Sequence, residues 1–135
     1  MKKFTSNMTI TSNLKNIKKV MTWVEADLKS FFKNEKKYQS IILGLQEAIT
    51  NAIIHGNKLD EKKFVNIYYC LDQKLKITIE DEGKGIIEKN QALDVSKIKK
   101  EDIYKESKRG IMLMKHFCDE VIFNKNCVTL VIQYE

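Results

Sequence analysis

The chain has 135 residues, about the size of one ordinary domain, and its 43% hydrophobic and 31% charged residues are typical of a globular protein rather than a disordered one. No apolar run approaches the roughly 18 residues that a membrane-spanning helix needs, and the N-terminus lacks the apolar core of a secretory signal, so we expect a cytoplasmic protein without a membrane segment. The net charge is +6, but the lysine pairs are scattered along the chain instead of alternating with aromatic residues, which argues against direct binding of nucleic acid.

The chain contains three cysteines, an odd number with no C-x-x-C pair. This pattern argues against a structural zinc site and against a framework of disulfides. We therefore expect Cys70, Cys118 and Cys127 to be buried or half-buried free thiols.

The first part of the chain predicts one strand and two helices. Residues 3–10 are the candidate strand, and Ser12 or Asn13 is the expected N-cap of the helix that follows. Apolar residues recur at steps of three and four over residues 14–31, which indicates a long amphipathic helix. A second helix is predicted over about residues 37–55, because its apolar residues share one broad side.

Two segments in the middle of the chain, residues 63–70 and 75–81, alternate apolar and polar residues around a short polar turn. This pattern predicts an antiparallel hairpin. The run D-E-G-K-G follows, where the second strand stops. Residues 87–108 are polar, rich in lysine and weakly patterned, which indicates a long mobile loop, and a loop of this length in a compact domain usually has a functional reason.

Regular structure is predicted again from Gly110, where a short helix precedes a last hairpin of residues 121–123 and 128–132. The predicted order is strand, two helices, hairpin, loop, helix, hairpin. Such an order favours a single α+β domain over residues 1–135, in which the helices cover one face of a mixed, mainly antiparallel sheet.

Glu47, Asn51 and His55 are spaced four residues apart on the second predicted helix. Four-residue steps return to nearly the same side of a helix, so the three polar groups form one stripe. On one interpretation the stripe is a site, in which Glu47 is a general base or orients a hydroxyl nucleophile and Asn51 gives its amide oxygen to Mg²⁺. His55 then caps the helix end or reaches a phosphate. On the other interpretation the stripe is a solvated helix face.

Asp81 ends a predicted strand just before Gly83 and Gly85. A carboxylate held there is able to accept hydrogen bonds from an exocyclic amine such as that of adenine, and glycines allow the backbone to approach a ligand closely. The D-x-G-x-G pattern also fits an ordinary β-turn that starts with an acid. By itself it therefore does not distinguish an adenine site from such a turn.

Gly110 opens the last predicted helix and directly follows Lys108 and Arg109. The N-terminus of a helix presents free backbone N–H groups and a partial positive charge, which suit a phosphate, and the two basic side chains add full charges at the same place. An ordinary basic loop before a helix explains the same pattern.

Three segments in this order, Glu47–Lys58, Asp81–Ile86 and Glu106–Val121, resemble the motifs of the GHKL ATPase superfamily. Their sequences are E-A-I-T-N-A-I-I-H-G-N-K, D-E-G-K-G-I and E-S-K-R-G-I-M-L-M…D-E-V. The superfamily includes gyrase-type topoisomerases, histidine kinases and heat-shock chaperones, and within it the chain is most similar to the anti-sigma factor serine kinases, over nearly its whole length. The resemblance implies a Bergerat-type two-layer α/β sandwich that binds ATP and Mg²⁺.

The resemblance also implies roles for individual residues. Glu47 matches the catalytic acid, Asn51 the magnesium ligand and Asp81 the aspartate that binds adenine. The segment of about residues 87–109 matches a mobile lid over the phosphates. Thr129 matches a threonine on a late strand near the adenine. The other residues expected to contact the nucleotide are His55, Gly83, Gly85, Ile86, Lys108, Arg109, Gly110 and Ile111.

The implied reaction transfers the γ-phosphoryl group of ATP to a serine of an anti-anti-sigma protein, and the implied regulation is the sequestration of a sigma factor. Relatives of this kind form homodimers, with the first strand and first helix as the candidate interface. One position departs from the pattern, since the lid normally ends in G-x-G and the first glycine is replaced by Lys108. This side chain either crowds the phosphates or binds them.

The departure at Lys108 leads to an alternative hypothesis, a non-catalytic regulatory module that keeps the fold and acts only by sequestering a partner. A third hypothesis, a purely structural domain, is difficult to reconcile with three separately placed motifs.

Overall fold

Five strands form one sheet in the computed structural model, which describes residues 4–83, 115, 116 and 118–133. The strands are β1 (Phe4–Thr11), β2 (Phe64–Leu71), β3 (Leu75–Glu80), β4 (Glu120–Asn124) and β5 (Cys127–Ile132). Their order across the sheet is β1-β2-β3-β5-β4, and each neighbouring pair is antiparallel. All neighbouring pairs of the described strands are thus antiparallel, which agrees with the prediction of a mainly antiparallel sheet.

Two helices lie between β1 and β2 in the sequence. Helix α1 (Asn16–Leu28) continues into a 3₁₀ turn at Lys29–Phe31, and helix α2 (Glu35–Asn51) continues into a π turn at Ala52–Gly56. The prediction of an α+β sandwich is therefore confirmed. Within the described ranges, no helix combines the length and the apolar character that crossing a membrane requires.

Asparagines precede both helices, but only one of them is an N-cap. The side-chain oxygen of Asn34 accepts a hydrogen bond from Lys37 N at 3.0 Å and so caps α2. Asn13 Oδ1 accepts from Lys15 N at 2.9 Å, which closes a local turn, and α1 itself begins without a side-chain cap. The predicted N-cap at Ser12 or Asn13 is thus wrong, because Ser12 is buried and its hydroxyl donates to a backbone carbonyl just before β2.

The hydrophobic core lies between the two helices and one face of the sheet. Along β2 and β3, buried residues alternate with more exposed ones, as a strand with one covered face requires. Core residues from both layers include Val20, Val24, Leu28, Leu45, Ile49, Val65, Ile67, Ile77, Ile79 and Leu130. The opposite face of the sheet exposes 43% of Tyr68 and 44% of Ile122. The covered face is the one that continues into Asp81, since Asp81 is two residues beyond the core residue Ile79.

Tyr69→Phe is expected to lower the free energy of unfolding by about 1–3 kcal/mol. Tyr69 is fully buried, its ring centroid is 4.8 Å from that of Trp23, and its hydroxyl donates to the carboxylate of Asp27 on α1. The phenylalanine keeps the ring packing but leaves the half-buried carboxylate without this donor. Urea denaturation measures the change, and Tyr68→Phe on the exposed face is the matched control, with an expected change within about 0.5 kcal/mol. Equal losses in the two variants would contradict the role of the hydroxyl.

Candidate functional site

The end of α2 and the end of β3 pack directly against each other. A methyl carbon on Gly56, the last residue of the π turn, would lie 2.2 Å from Oδ2 of Asp81. A methyl carbon on Gly83 would lie 2.0 Å from the carbonyl oxygen of Gly56. Both distances are far below van der Waals contact, so this close approach of the two segments requires glycine at both positions.

Hydrogen bonds hold both the side chain and the backbone of Asp81. Its carboxylate oxygen Oδ1 accepts from Gly83 N at 2.7 Å. Its backbone N–H donates to the carbonyl oxygen of Asn126 at 2.9 Å, and the side-chain amide of Asn126 donates back to the carbonyl oxygen of Asp81. These bonds attach the turn after β3 to the β4–β5 turn and fix the direction in which the carboxylate points.

Burial raises the pKa of the Asp81 carboxyl above its ordinary value of 3.8, since only 7% of the residue is exposed. The hydrogen bond from Gly83 N works against this shift, the charge of Glu80 adds to it, and the charge of Lys63 reduces it. The folded state therefore binds the proton more tightly than the unfolded state. The contribution of this group to stability is fully present below pH 3.8 and is lost as the pH rises through the folded-state pKa.

A cleft opens beside Asp81 on the covered face of the sheet. Its walls are formed by Ala48, Ala52, Ile79, Asp81, Phe123, Lys125, Asn126, Cys127 and Val128. The cleft has about 300 Å³ of empty space when its open mouth is included. Two small alanine side chains, Ala48 on α2 and Ala52 in the π turn, line the cleft together with an apolar wall from the sheet and one buried acceptor, Asp81. This lining suits a flat ring that carries an amine.

The predicted stripe on α2 is divided by the π turn. Asn51 is 2% exposed, Glu47 is half-buried and His55 is exposed. A π turn closes through a bond between residues five apart, here from Asn57 N to Ala52 O at 2.8 Å, so the regular four-residue spacing ends before His55. Glu47 and Asn51 therefore share one side of a regular helix, and the interpretation of the whole stripe as a solvated face is wrong for the buried Asn51.

Thr129 lies on the other face of the sheet, away from Asp81. On β5, Val128 and Leu130 are buried on the covered face, and Val128 lines the cleft beside Asp81. The hydroxyl of Thr129 is instead 3.1 Å from that of Thr78. The predicted place of Thr129 near the adenine is therefore not supported, because adjacent residues of a strand point to opposite faces.

The remaining predicted site residues and the predicted lid lie outside the described residues. These are Gly85, Ile86, Lys108, Arg109, Gly110 and Ile111, with the segment of about residues 87–109. Their roles stay predictions.

The cysteines are free and half-buried, as predicted. Burial raises the pKa of the Cys118 thiol to about 12, with a further contribution from the charge of Asp119. Burial also raises the pKa of the Cys127 thiol, which lines the cleft. Both thiols are therefore protonated at neutral pH and are poor nucleophiles.

Two asparagines that organise this site were not identified as site residues from the sequence. Asn126 forms hydrogen bonds with both the backbone N–H and the carbonyl oxygen of Asp81. Asn57 is completely buried beside the turn that follows β3. The local signal at Asn57 is its position directly after a glycine at the end of a predicted helix, where asparagine tolerates left-handed geometry. Asn57 does not adopt this geometry, since its φ angle is −93°, and Lys58 and Leu59 are the residues with positive φ in this turn.

Comparison with known proteins shows which family and which relatives the chain is similar to. The sequence model of the family described as histidine kinase-like ATPase domain matches residues 10–133. An anti-sigma F factor of Heyndrickxia coagulans is 37% identical over 79 residues, which are 57% of this chain and 53% of that protein. An anti-sigma F factor of Clostridium perfringens (strain SM101 / Type A) is 37% identical over 91 residues, 65% of this chain and 64% of that protein. The chain thus spans about half to two thirds of the length of these relatives.

Proposed function

Because the chain belongs to the family of histidine kinase-like ATPase domains, we propose that it binds ATP with Mg²⁺ in the cleft beside Asp81 and acts as an anti-sigma factor with serine kinase activity. The observation that carries the proposal is the buried carboxylate of Asp81, held by Gly83 N and packed against Gly56. A buried carboxylate that lines a cleft favours a ligand that brings a hydrogen-bond donor. The exocyclic amine of adenine is such a donor.

Asn51 would hold the magnesium ion at the phosphate end of the nucleotide. Its amide oxygen is a hard oxygen donor, which suits Mg²⁺ when water and phosphate oxygens complete the coordination. The bound cation would neutralise charge on the phosphates. Glu47 is half-buried on the same side of α2, where it would accept the proton of the attacking serine hydroxyl as that oxygen bonds to the γ-phosphorus and ADP leaves.

The proposed partners come from the relatives, which are named anti-sigma F factors. For this chain we propose a sigma factor as the sequestered protein and a serine of an anti-anti-sigma protein as the phosphate acceptor. We also propose a homodimer formed through β1 and α1. In support of it, β1 pairs only with β2 in the described sheet, and Phe4 on β1 is 43% exposed.

Asp81→Asn is expected to weaken ATP binding by about 10- to 100-fold, since a hydrogen bond to a charged acceptor contributes about 1.5–3 kcal/mol. Isothermal titration calorimetry with ATP and Mg²⁺ measures the change. Asp72→Asn in the exposed β2–β3 turn is the matched control, because it removes the same charge away from the cleft. ATP binding that is unchanged in Asp81→Asn, or absent in the wild type, would contradict the proposed nucleotide site.

The stability of Asp81→Asn separates a lost contact from a damaged fold. Because burial raises the pKa of Asp81, this carboxyl group lowers the stability of the wild type at neutral pH relative to acidic pH, and the amide of the variant has no such pH-dependent cost. The variant is therefore expected to unfold at a higher urea concentration at pH 7, and this difference is expected to shrink as the pH falls toward 3.8. A variant that is less stable at pH 7 would show that the weaker binding comes from misfolding.

The alternative function, sequestration without catalysis, is favoured by Lys108, which replaces the first glycine of the G-x-G pattern that the resemblance implies for the end of the lid. The wild type, a candidate anti-anti-sigma protein, labelled ATP and Mg²⁺ distinguish the two functions. Transfer of label supports the kinase, whereas ATP binding without transfer supports the non-catalytic module. In that second case Lys108→Gly shows whether the lysine is the cause.

A further inference from the structure

Asn57 joins three segments of the chain at the end of the sheet next to Asp81. The residue is completely buried. Its side-chain Nδ2 donates to Ser12 Oγ at 2.7 Å and to the carbonyl oxygen of Phe64 at 3.0 Å. Its Oδ1 accepts from the backbone N–H of Glu82 at 2.7 Å. One amide therefore connects the chain after β1, the start of β2 and the turn after β3.

We propose that Asn57 is a positioning residue that sets the place of the Asp81 carboxylate and thereby the preference of the cleft for adenine over guanine nucleotides. This inference rests on the proposed function. Asn57 does not line the cleft itself, so it acts through the turn that carries Asp81 rather than by touching the nucleotide.

The turn after β3 is held on both sides. Asn126 binds the backbone of Asp81 on one side, and Asn57 binds the backbone N–H of Glu82, the next residue, on the other side. The side chain of Glu82 strengthens the second attachment, since it accepts from the backbone N–H of Phe64. Glu82 is thus fixed by its own N–H and by its carboxylate, and the carboxylate of Asp81 depends on both attachments.

Asn57 also fixes the turn relative to α2. Its backbone N–H donates to Ala52 O and closes the π turn, which places Gly56 against Asp81 and Gly83. Asn51 precedes this turn on the same helix. Asp81, which is proposed to bind adenine, and Asn51, the proposed magnesium ligand, are therefore connected through Asn57.

The link matters for selectivity because of the chemistry of the two purines. Adenine carries an amine at the position where guanine carries a carbonyl oxygen. A fixed carboxylate accepts from the amine and opposes the carbonyl oxygen, since two acceptors then face each other without a proton. A carboxylate on a loosened turn gains less from adenine and is able to move away from guanine, so the difference between the two nucleotides becomes smaller.

Asn57→Ala is expected to lower the affinity for ATP about tenfold, the effect of losing one hydrogen bond in the site, while the affinity for GTP changes little. The ratio of the two affinities, measured by calorimetry with Mg²⁺ present, therefore falls about tenfold. Asn57→Asp retains an oxygen that accepts from Glu82 N but loses the two donated bonds. It is expected to keep most of the selectivity, although both variants are less stable than the wild type.

Ser12→Ala is the matched control. It removes one of the bonds donated by Asn57 and leaves the bond from Glu82 N, so it is expected to lower the melting temperature with an unchanged ratio of ATP to GTP affinity. A ratio that is unchanged in Asn57→Ala, or that falls equally in all three variants, would show a merely structural role and overturn the proposal. If Asn57→Ala does not fold, Asn57→Ser replaces it, because the shorter side chain also withdraws the oxygen that accepts from Glu82 N. A lower ratio in Asn57→Ser with a retained ratio in Asn57→Asp and Ser12→Ala supports Asn57, and a retained ratio in Asn57→Ser overturns the proposal.

Amide hydrogen exchange distinguishes failure of this inference from failure of the proposed function. In the protein without nucleotide, Asn57→Ala is expected to speed exchange at Glu82 N by about tenfold, the effect of losing about 1.4 kcal/mol of local stability. Ser12→Ala is expected to leave exchange at that amide unchanged. If the wild type binds no ATP and exchange at Glu82 N still responds as expected, the proposed function fails while the link through Asn57 is retained. Exchange that does not respond overturns the link.

Discussion

Glu47→Gln is expected to slow phosphoryl transfer by about 10²- to 10⁴-fold, the usual contribution of a general base, while ATP affinity stays nearly the same. The amide keeps the size of the side chain and an acceptor oxygen but does not take up the proton of a serine hydroxyl. Glu47 is half-buried on α2, one helical turn before Asn51, so the substitution does not disturb the core. Single-turnover assays with labelled ATP and an anti-anti-sigma protein measure transfer, and calorimetry measures binding.

Glu35→Gln is the matched control for this prediction. Glu35 is an exposed carboxylate in the first turn of the same helix, far from the cleft, so its loss changes the net charge equally without affecting transfer. A large fall in ATP affinity in Glu47→Gln would mean that the side chain holds the metal or the phosphates instead of acting as the base. Transfer at the wild-type rate would remove Glu47 from the reaction.

The parts of the fold that depend on local patterns were predictable from the sequence. The alternation of Val65, Ile67 and Tyr69 places one face of β2 in the core, and it requires only knowledge of neighbouring residues. Asp81 is also predictable, since it continues the alternation of β3 onto the covered face just before a glycine turn. The helices follow from their apolar stripes, with ends that differ by a few residues because the 3₁₀ and π turns have no clear local signal.

The parts of the site that depend on distant contacts were not predictable. The side chain of Asn57 bonds to Ser12, Phe64 and Glu82, which are 45, 7 and 25 residues away. The face of the sheet on which Thr129 lies was also difficult to predict from the sequence, because a shift of one residue in the alignment of a strand reverses the face on which a side chain lies. A motif therefore identifies Asp81 as an acceptor, but only the structure shows what holds it.

Asp81 and Gly56 together show how the fold accommodates the site at the expense of stability. A buried carboxylate with a raised pKa destabilises the protein at neutral pH, and a glycine near the end of a helix is less favourable than alanine. The two features are connected, since a side chain at Gly56 would overlap the carboxylate of Asp81. Residues that are unfavourable for the fold and favourable for a ligand are expected at functional sites.

Gly56→Ala is expected to lower the free energy of unfolding by about 3 kcal/mol, at the upper end of the usual effect of overpacking, and to abolish ATP binding. The new methyl carbon would lie 2.2 Å from Oδ2, 2.4 Å from Cγ and 2.8 Å from Oδ1 of Asp81. All three atoms belong to one side chain, so the conflict is specific. Asp81→Ala removes these atoms, and Gly56→Ala is therefore expected to cost much less in that background, with a coupling free energy of about 1–3 kcal/mol.

Gly83→Ala is the matched control for this coupling. Its methyl carbon would lie 2.0 Å from the backbone carbonyl oxygen of Gly56, which no side-chain substitution removes. Urea denaturation of the single variants and of each glycine variant combined with Asp81→Ala is expected to show recovery for Gly56→Ala and little recovery for Gly83→Ala. Recovery of both, or of neither, would mean that Asp81 is not what excludes a side chain at Gly56, and the close packing of α2 on this carboxylate would lose its support.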